Sequence, residues 1–358
     1  MTVVHDMRAI FFIARIFGCT SQITVENDIK ARRRRDILFI VIAISVYMAS
    51  LVKLIVYKVD TNILDSISEI FTITRVFLFY FCYFTDICLT TLWNRKIRVV
   101  LSHLRNFDRA TNFNDLPRRR IVRNLSRAFT FITFTWWTIT GYITYRVETS
   151  HPLYHAFVYV IIDVAVFTQI LIFVGFSFLI EERFRQLCNI LTFPAGKLFT
   201  SNRLTVPFTL QQIWWLHCSL ANATEMFNSV YAVQLLLWIS SLSVNAMSRL
   251  YVMYVLKPSL LLIIRDMIVV MSCAWSLLLI TAVCHNTSRK ANRIGEIIFS
   301  TSSSASMKRV FLQENLEVAA YFQLRKVHFF TVAGFIRIDL PLLLSIVSGM
   351  TTYLVIVC

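Results

Sequence analysis

Seven stretches of this chain, at 37–57, 70–93, 128–145, 154–180, 230–247, 260–283 and 340–358, run 18 to 27 residues with few charged side chains. That single feature removes most folds from consideration. At 1.5 Å per residue, each stretch is long enough as a helix to cross a hydrocarbon layer of roughly 30 Å. Only helices and closed barrels satisfy their backbone in lipid, and barrel strands are about ten residues long. The expected fold class is therefore all-α: a polytopic membrane protein with seven transmembrane helices.

Composition agrees. Hydrophobic residues make up 57% of the 358, with 30 Phe and only 7 Gly, and the mean hydropathy is +0.64. A disordered chain or a soluble globular domain is excluded, since the apolar share of the latter is nearer 45–50%. The formal net charge of +16 does not mark a nucleic-acid partner. The basic residues sit between apolar runs and read as topology determinants.

Most of the 36 Lys and Arg fall in the N-terminal segment and in the 94–127, 181–227 and 284–338 loops. The alternate loops hold only Lys58, Arg146, Arg249 and Lys257. By the positive-inside rule the N-terminus is cytoplasmic and the C-terminus extracellular. The sequons at Asn124, Asn222 and Asn286 then lie in the cytosol and are expected to stay unmodified.

This topology divides the chain into a cytoplasmic N-terminal segment (1–36), a six-helix ligand-binding bundle (37–283), a cytoplasmic loop and helix anchoring subunits (284–338), and a pore-lining last helix (339–358). Residues 9–17 are too short to span and read as an interfacial amphipathic helix. Arg32–Arg35 form a basic stop before the first span. Residues 300–306 read as a linker, and 309–330 as a helix leading into the final span.

Chemistry-bearing patterns are sparse. The eight cysteines show no CxxC or metal spacing and read as small packing residues without disulfides. No P-loop, GxGxxG, HExxH or GxSxG motif is present. No catalytic residue, metal or cofactor is expected, and the chain does not read as an enzyme.

Ionisable residues inside spans are expensive, and so are functional candidates: Glu69, Arg75, Asp86, Asp163, Arg265 and Asp266. For Arg265 and Asp266, a structural ion pair and a ligand contact both remain open. Aromatic and hydroxyl groups gather in the outer half: Thr133, Trp137, Thr140 and Thr144; Tyr154, His155 and Tyr159; Trp238, Ser240, Ser241 and Asn245. Such groups suit a small, partly polar organic molecule. Against this, Ser and Thr bond back to their own helices, and Trp and Tyr favour membrane interfaces. The ligand-binding set expected is Trp137, Thr140, Tyr154, His155, Tyr159, Trp238, Arg265 and Asp266.

In the last stretch, Asp339 is placed to cap a helix and Pro341 fits its first turn. Ser345, Ser348 and Thr352 share one face with Gly349 beside them. That face either packs on a neighbouring helix or meets water.

From Thr352-Tyr353 through Cys358, the sequence resembles the insect gustatory receptor signature of Thr-Tyr, five mostly apolar residues, then Gln-Phe. Phe329-Phe330, Ala333-Gly334-Phe335, Ile338-Asp339 and the 342–345 run resemble the approach to it. The resemblance implies a tastant-gated, non-selective cation channel in the plasma membrane of a sensory neuron. Its partners would be membrane lipid and further subunits in a homo- or heterotetramer. Ser345, Ser348, Thr352, Val355 and Ile356 would line the pore. The chain stops where Gln-Phe would begin, so the last helix is expected to be truncated. A metabotropic seven-helix receptor, which needs an extracellular N-terminus, and a secondary transporter with a midplane pair such as Arg75 and Asp163 are the rivals.

Overall fold

The computed structural model describes residues 8–17, 29–60, 67–113, 116–147, 152–192, 209–256, 259–300 and 316–357. Among these, ten α-helices follow one another: α1 (Arg8–Ile16), α2 (Ile29–Asp60), α3 (Ile67–Leu92), α4 (Asn94–Ala110), α5 (Leu116–Val147), α6 (Pro152–Thr192), α7 (Leu210–Leu256), α8 (Leu260–Ser300), α9 (Leu316–Leu324) and α10 (Leu340–Val357). Four have long apolar segments of membrane-crossing length, at Ile73–Leu92, Val160–Leu191, Leu210–Val255 and Leu260–Phe299. Shorter apolar segments lie at Ile37–Lys53 and Leu340–Ile356. The expected span at 128–145 falls within α5.

The helices are longer than the spans read from hydropathy. The 47 residues of α7 reach about 70 Å, twice the hydrocarbon thickness. Its start is set by a capping box: the Thr209 N–H donates to Gln212 Oε1 at 3.0 Å and the Gln212 N–H to Thr209 Oγ1 at 3.3 Å. The fifth span, expected from 230, thus begins twenty residues early. Its far end also extends, so Arg249, assigned above to an outer loop, is buried in the helix.

Helices α6, α7 and α8 form the centre, with α3 and α4 packed on α7 and α5 on α6. Phe173 stacks on Phe227 at 5.3 Å and meets Tyr231, Trp238 and Phe329 edge-on. Phe329 belongs to the segment that feeds α10, so the last helix is rooted in the central aromatic cluster. On α2, Leu38, Val41, Ile42 and Val52 are exposed, the pattern of a helix whose outer face meets lipid.

The 94–127 stretch, expected as a loop, contains α4 and the start of α5. Ile97, Val100, Leu101, Leu104 and Phe107 of α4 are buried at helical spacing, and its arginines take the other face. Asp108 of α4 accepts from Arg183 of α6 at 2.7 Å. The terminal helix α1 is likewise more than interfacial. Ile10 and Ala14 are buried against α2, α5 and α6, and the Tyr83 hydroxyl donates to the Phe17 carbonyl.

Among the described residues, the helix expected over 309–330 covers Leu316–Leu324, while 301–315, and with them most of the 300–306 linker, lie outside the described residues. Beyond Leu324 the backbone finds other partners. Asn292 of α8 takes both polar groups of Val327, at 3.0 and 2.9 Å. Asn228 accepts from the Phe330 N–H at 3.2 Å, and Phe330 bridges to Arg337. Side-chain amides thus replace the helical ladder.

Gly295 lets α9 sit against α8. A Cβ there would stand 3.1 Å from the Phe322 carbonyl oxygen and 3.5 Å from Phe322 Cβ. Gly295→Leu should cost roughly 1–3 kcal/mol by overpacking. Hydrogen exchange over 316–324 should accelerate while the centres of α6 to α8 keep their protection.

Candidate functional site

Among the described residues, three clusters of polar groups between the helices hold the predicted site residues Asp86 and Trp238, Arg265 and Asp266, and Tyr154. In the first, Asp86 of α3 is fully buried and accepts from Gln234 Nε2 at 3.0 Å and Trp238 Nε1 at 2.9 Å, both on α7. Sequence reasoning named Asp86 and Trp238 but missed Gln234. Its spacing of four from Trp238 puts the two donors on one face, one turn apart.

The second joins α7 and α8. Arg249 Nη1 donates to Asp266 Oδ1, Arg265 Nε donates to the same oxygen at 3.0 Å, and Asn245 Oδ1 accepts from Arg249 Nε at 3.0 Å. Arg249 and Asp266 are both buried. Asp163 of α6 lies within electrostatic range of Arg249 and of Arg75 on α3. The cluster therefore draws on four helices. Asp266 is held as an ion-pair partner, one of the two readings left open above. The signal that would have found Arg249 is Asn245 four residues earlier, with an apolar run continuing to Leu256.

The third sits where α2, α3 and α6 meet. Ser50 Oγ and the Tyr80 hydroxyl are 2.7 Å apart, the Tyr154 hydroxyl donates to the Ser50 carbonyl at 3.3 Å, and Lys53 Nζ lies 4.2 Å over the Tyr154 ring.

Among the described side chains, the expected ligand set is divided between the three clusters and a groove. Trp238 and Tyr154 belong to the first and third clusters, and Arg265 and Asp266 to the second. Trp137 lines a groove between α1, α5 and α6. The Thr140 hydroxyl is spent on the Trp136 carbonyl at 3.0 Å, as Thr133 is on Phe129 and Thr144 on Thr140. His155 and Tyr159 lie on α6, and their side chains are outside the described residues.

In α10 the Asp339 cap is in place, with Oδ1 accepting from the Leu342 N–H at 3.3 Å. Leu342, Leu343, Ile346 and Met350 pack against the core, through α7 and α8. Ser345, Ser348, Gly349 and Thr352 are exposed, as are Val355 and Ile356, while Tyr353 is half-buried. A Cβ on Gly349 would meet nothing within 4 Å. The polar stripe thus faces away from its own bundle.

A bundle of long apolar helices with polar clusters buried between them, and a short last helix turning a polar stripe outward, is the architecture of a multi-span membrane protein. A family model described as 7tm Chemosensory receptor matches residues 7–358, and the chain belongs to that family. It is a chemosensory receptor, not an enzyme. The fold is similar to the insect olfactory receptor OR5 from Machilis hrabei, at TM-score 0.68 and 14% identity over 100% of this chain and 99% of that one. It is similar also to the same receptor in complex with eugenol, at TM-score 0.70 and 14% identity over 99% of each chain. A comparison with curated protein sequences finds no match.

Two measurements check these contacts. Arg249→Leu leaves Asp266 buried without its main partner and should cost about 3–5 kcal/mol in thermal denaturation, while the double variant Arg249→Leu/Asp266→Leu should recover part of that. In the segment before α10, burial holds the His328 imidazole below its ordinary pKa of 6.5, with Arg337 and Lys326 adding to the shift and Asp339 opposing it. Between the lowered value and 6.5 the unfolded segment binds more protons than the folded one, so stability falls as pH drops through that window. Protection factors over 325–339, which remove the intrinsic pH dependence of amide exchange, should therefore fall from pH 7.5 to about 5.5, and His328→Gln should flatten that fall.

Proposed function

We propose that the chain is a subunit of a tetrameric, non-selective cation channel, gated by a small tastant in the plasma membrane of a sensory neuron. The observation that carries this reading is the polar stripe of α10, which the described residues of its own chain leave uncovered. A helix that packs Leu342, Leu343, Ile346 and Met350 inward and leaves serine and threonine exposed fits a shared axis with copies of itself. On this reading Ser345, Ser348 and Thr352 wet the open pore, and Val355 and Ile356 close it by dewetting. Residues 284–338 hold subunits together on the cytoplasmic side. The N-terminus is cytoplasmic and the C-terminus extracellular.

The ligand binds in the outer half of the 37–283 bundle. Trp137, Thr140, Tyr154, His155, Tyr159, Trp238, Arg265 and Asp266 remain the residues to test. Gating follows if the ligand makes better contacts in the open state, since equal affinity for both states shifts nothing. Eugenol bound to OR5 supports a small organic ligand. Because both similar structures are olfactory receptors, an odorant is the second ligand class to test.

Currents recorded from cells expressing the chain without added G protein, alone and with co-receptor subunits, test this directly. A ligand-evoked cation current is expected, and Ser348→Leu should reduce it at least fivefold without changing surface expression. Silence across broad tastant and odorant panels would count against the channel reading.

A further inference from the structure

We propose that the groove between α1, α5 and α6 binds one anionic phospholipid, its acyl chain lying in the groove and its phosphate at Arg123 and Arg127. The site shares only Trp137 with the ligand set above, lies apart from the pore helix, and stands whether or not the chain conducts ions.

The groove has a volume of about 980 Å³ and is walled by residues such as Phe12, Ile16, Phe134, Trp137, Val160 and Ile161. On α6 it runs from Leu153 to Leu171, about 27 Å of helix against a hydrocarbon layer of roughly 30 Å. A Cβ on Gly141 would stand 3.0 Å from Val160 Cγ2, so α5 and α6 touch behind it and give it a back wall. Phe131, Phe134, Tyr142, Leu153 and Phe157 around it are exposed, which makes it a recess in a lipid-facing surface.

The chemistry of the lining selects the occupant. A small organic ligand is oriented by convergent polar groups, and this groove offers almost none. Thr133, Thr138 and Thr168 each donate to a carbonyl of their own helix at 2.7 Å. What fits a long, apolar channel continuous with the bilayer is an acyl chain.

Charge decides the headgroup. On α5, residues 127, 130, 134, 137 or 138, 141 and 145 follow helical spacing along one face, so Arg127 continues the groove-lining row beyond Thr130. Arg123 lies one turn further. Arg127 is exposed, and Arg123 Nε and Thr130 Oγ1 are buried with no hydrogen-bond partner among the described residues. Two guanidinium groups and an orphaned hydroxyl therefore stand at the end of an apolar recess. That end is the one predicted to face the cytoplasm, whose leaflet carries anionic lipid.

The test uses the whole chain, purified and delipidated, with native mass spectrometry after adding dioleoyl phosphatidylserine or dioleoyl phosphatidylcholine. Phosphatidylserine should be retained about tenfold better, as two basic contacts allow. Arg123→Gln/Arg127→Gln should bring it down to the phosphatidylcholine level. Thr138→Trp or Ile161→Trp, which fill the groove, should abolish retention of both lipids. Equal retention of the two lipids by the unmodified chain overturns the proposal without any variant. So does full phosphatidylserine retention by the arginine variant or by a folded groove-filling variant. An inter-chain crosslink through Thr138→Cys would give the groove to a second subunit and overturn it too.

Discussion

Helices α6, α7 and α8 are each far longer than a bilayer is thick, and the rest of the structure depends on their packing. A helix cannot bend sharply without proline, glycine pairs or an inserted side chain. Once Phe173, Phe227 and Trp238 interlock, the upper and lower halves of each rod move together. The polar clusters at one end and the amide-held segment at the other are thus joined by rigid bodies instead of loops. If these rods move as rigid bodies, displacing the Arg249–Asp266 end of α7 and α8 would also shift Asn228 and Asn292, and with them the root of α10.

Buried charge is distributed to match. Asp86 is met by two neutral donors and Asp266 by guanidinium groups. Each carboxylate has partners on a neighbouring helix, as burial demands. The three clusters lie at different helix junctions, so they fix mutual positions of the rods as much as they offer contacts to a ligand.

The fold class was legible because hydropathy alone excludes most alternatives, and the start of α10 because Asp339 and Pro341 are unambiguous there. Helix ends outside the membrane were not legible, since hydropathy reports burial in lipid and is silent where a helix leaves it. The Thr209-x-x-Gln212 box was the available signal for α7, and the alternation of arginine with Ile97, Leu101 and Leu104 for α4. The site was harder. Residue type placed Trp137 and Trp238 together, whereas their helices turn them toward different neighbours. Only the fold pairs Arg249 with Asp266 across a helical hairpin.

Gly349 has a consequence for how variants of this chain are judged. No described residue touches the space a side chain there would occupy, nor does one cover the serine stripe beside it. Exposed substitutions away from such contacts usually change stability by no more than about 0.5 kcal/mol, so changes on that face should largely pass a screen for expression or heat resistance. Their effects would surface only where subunits meet. The face thus offers a way to separate defects of assembly from defects of folding.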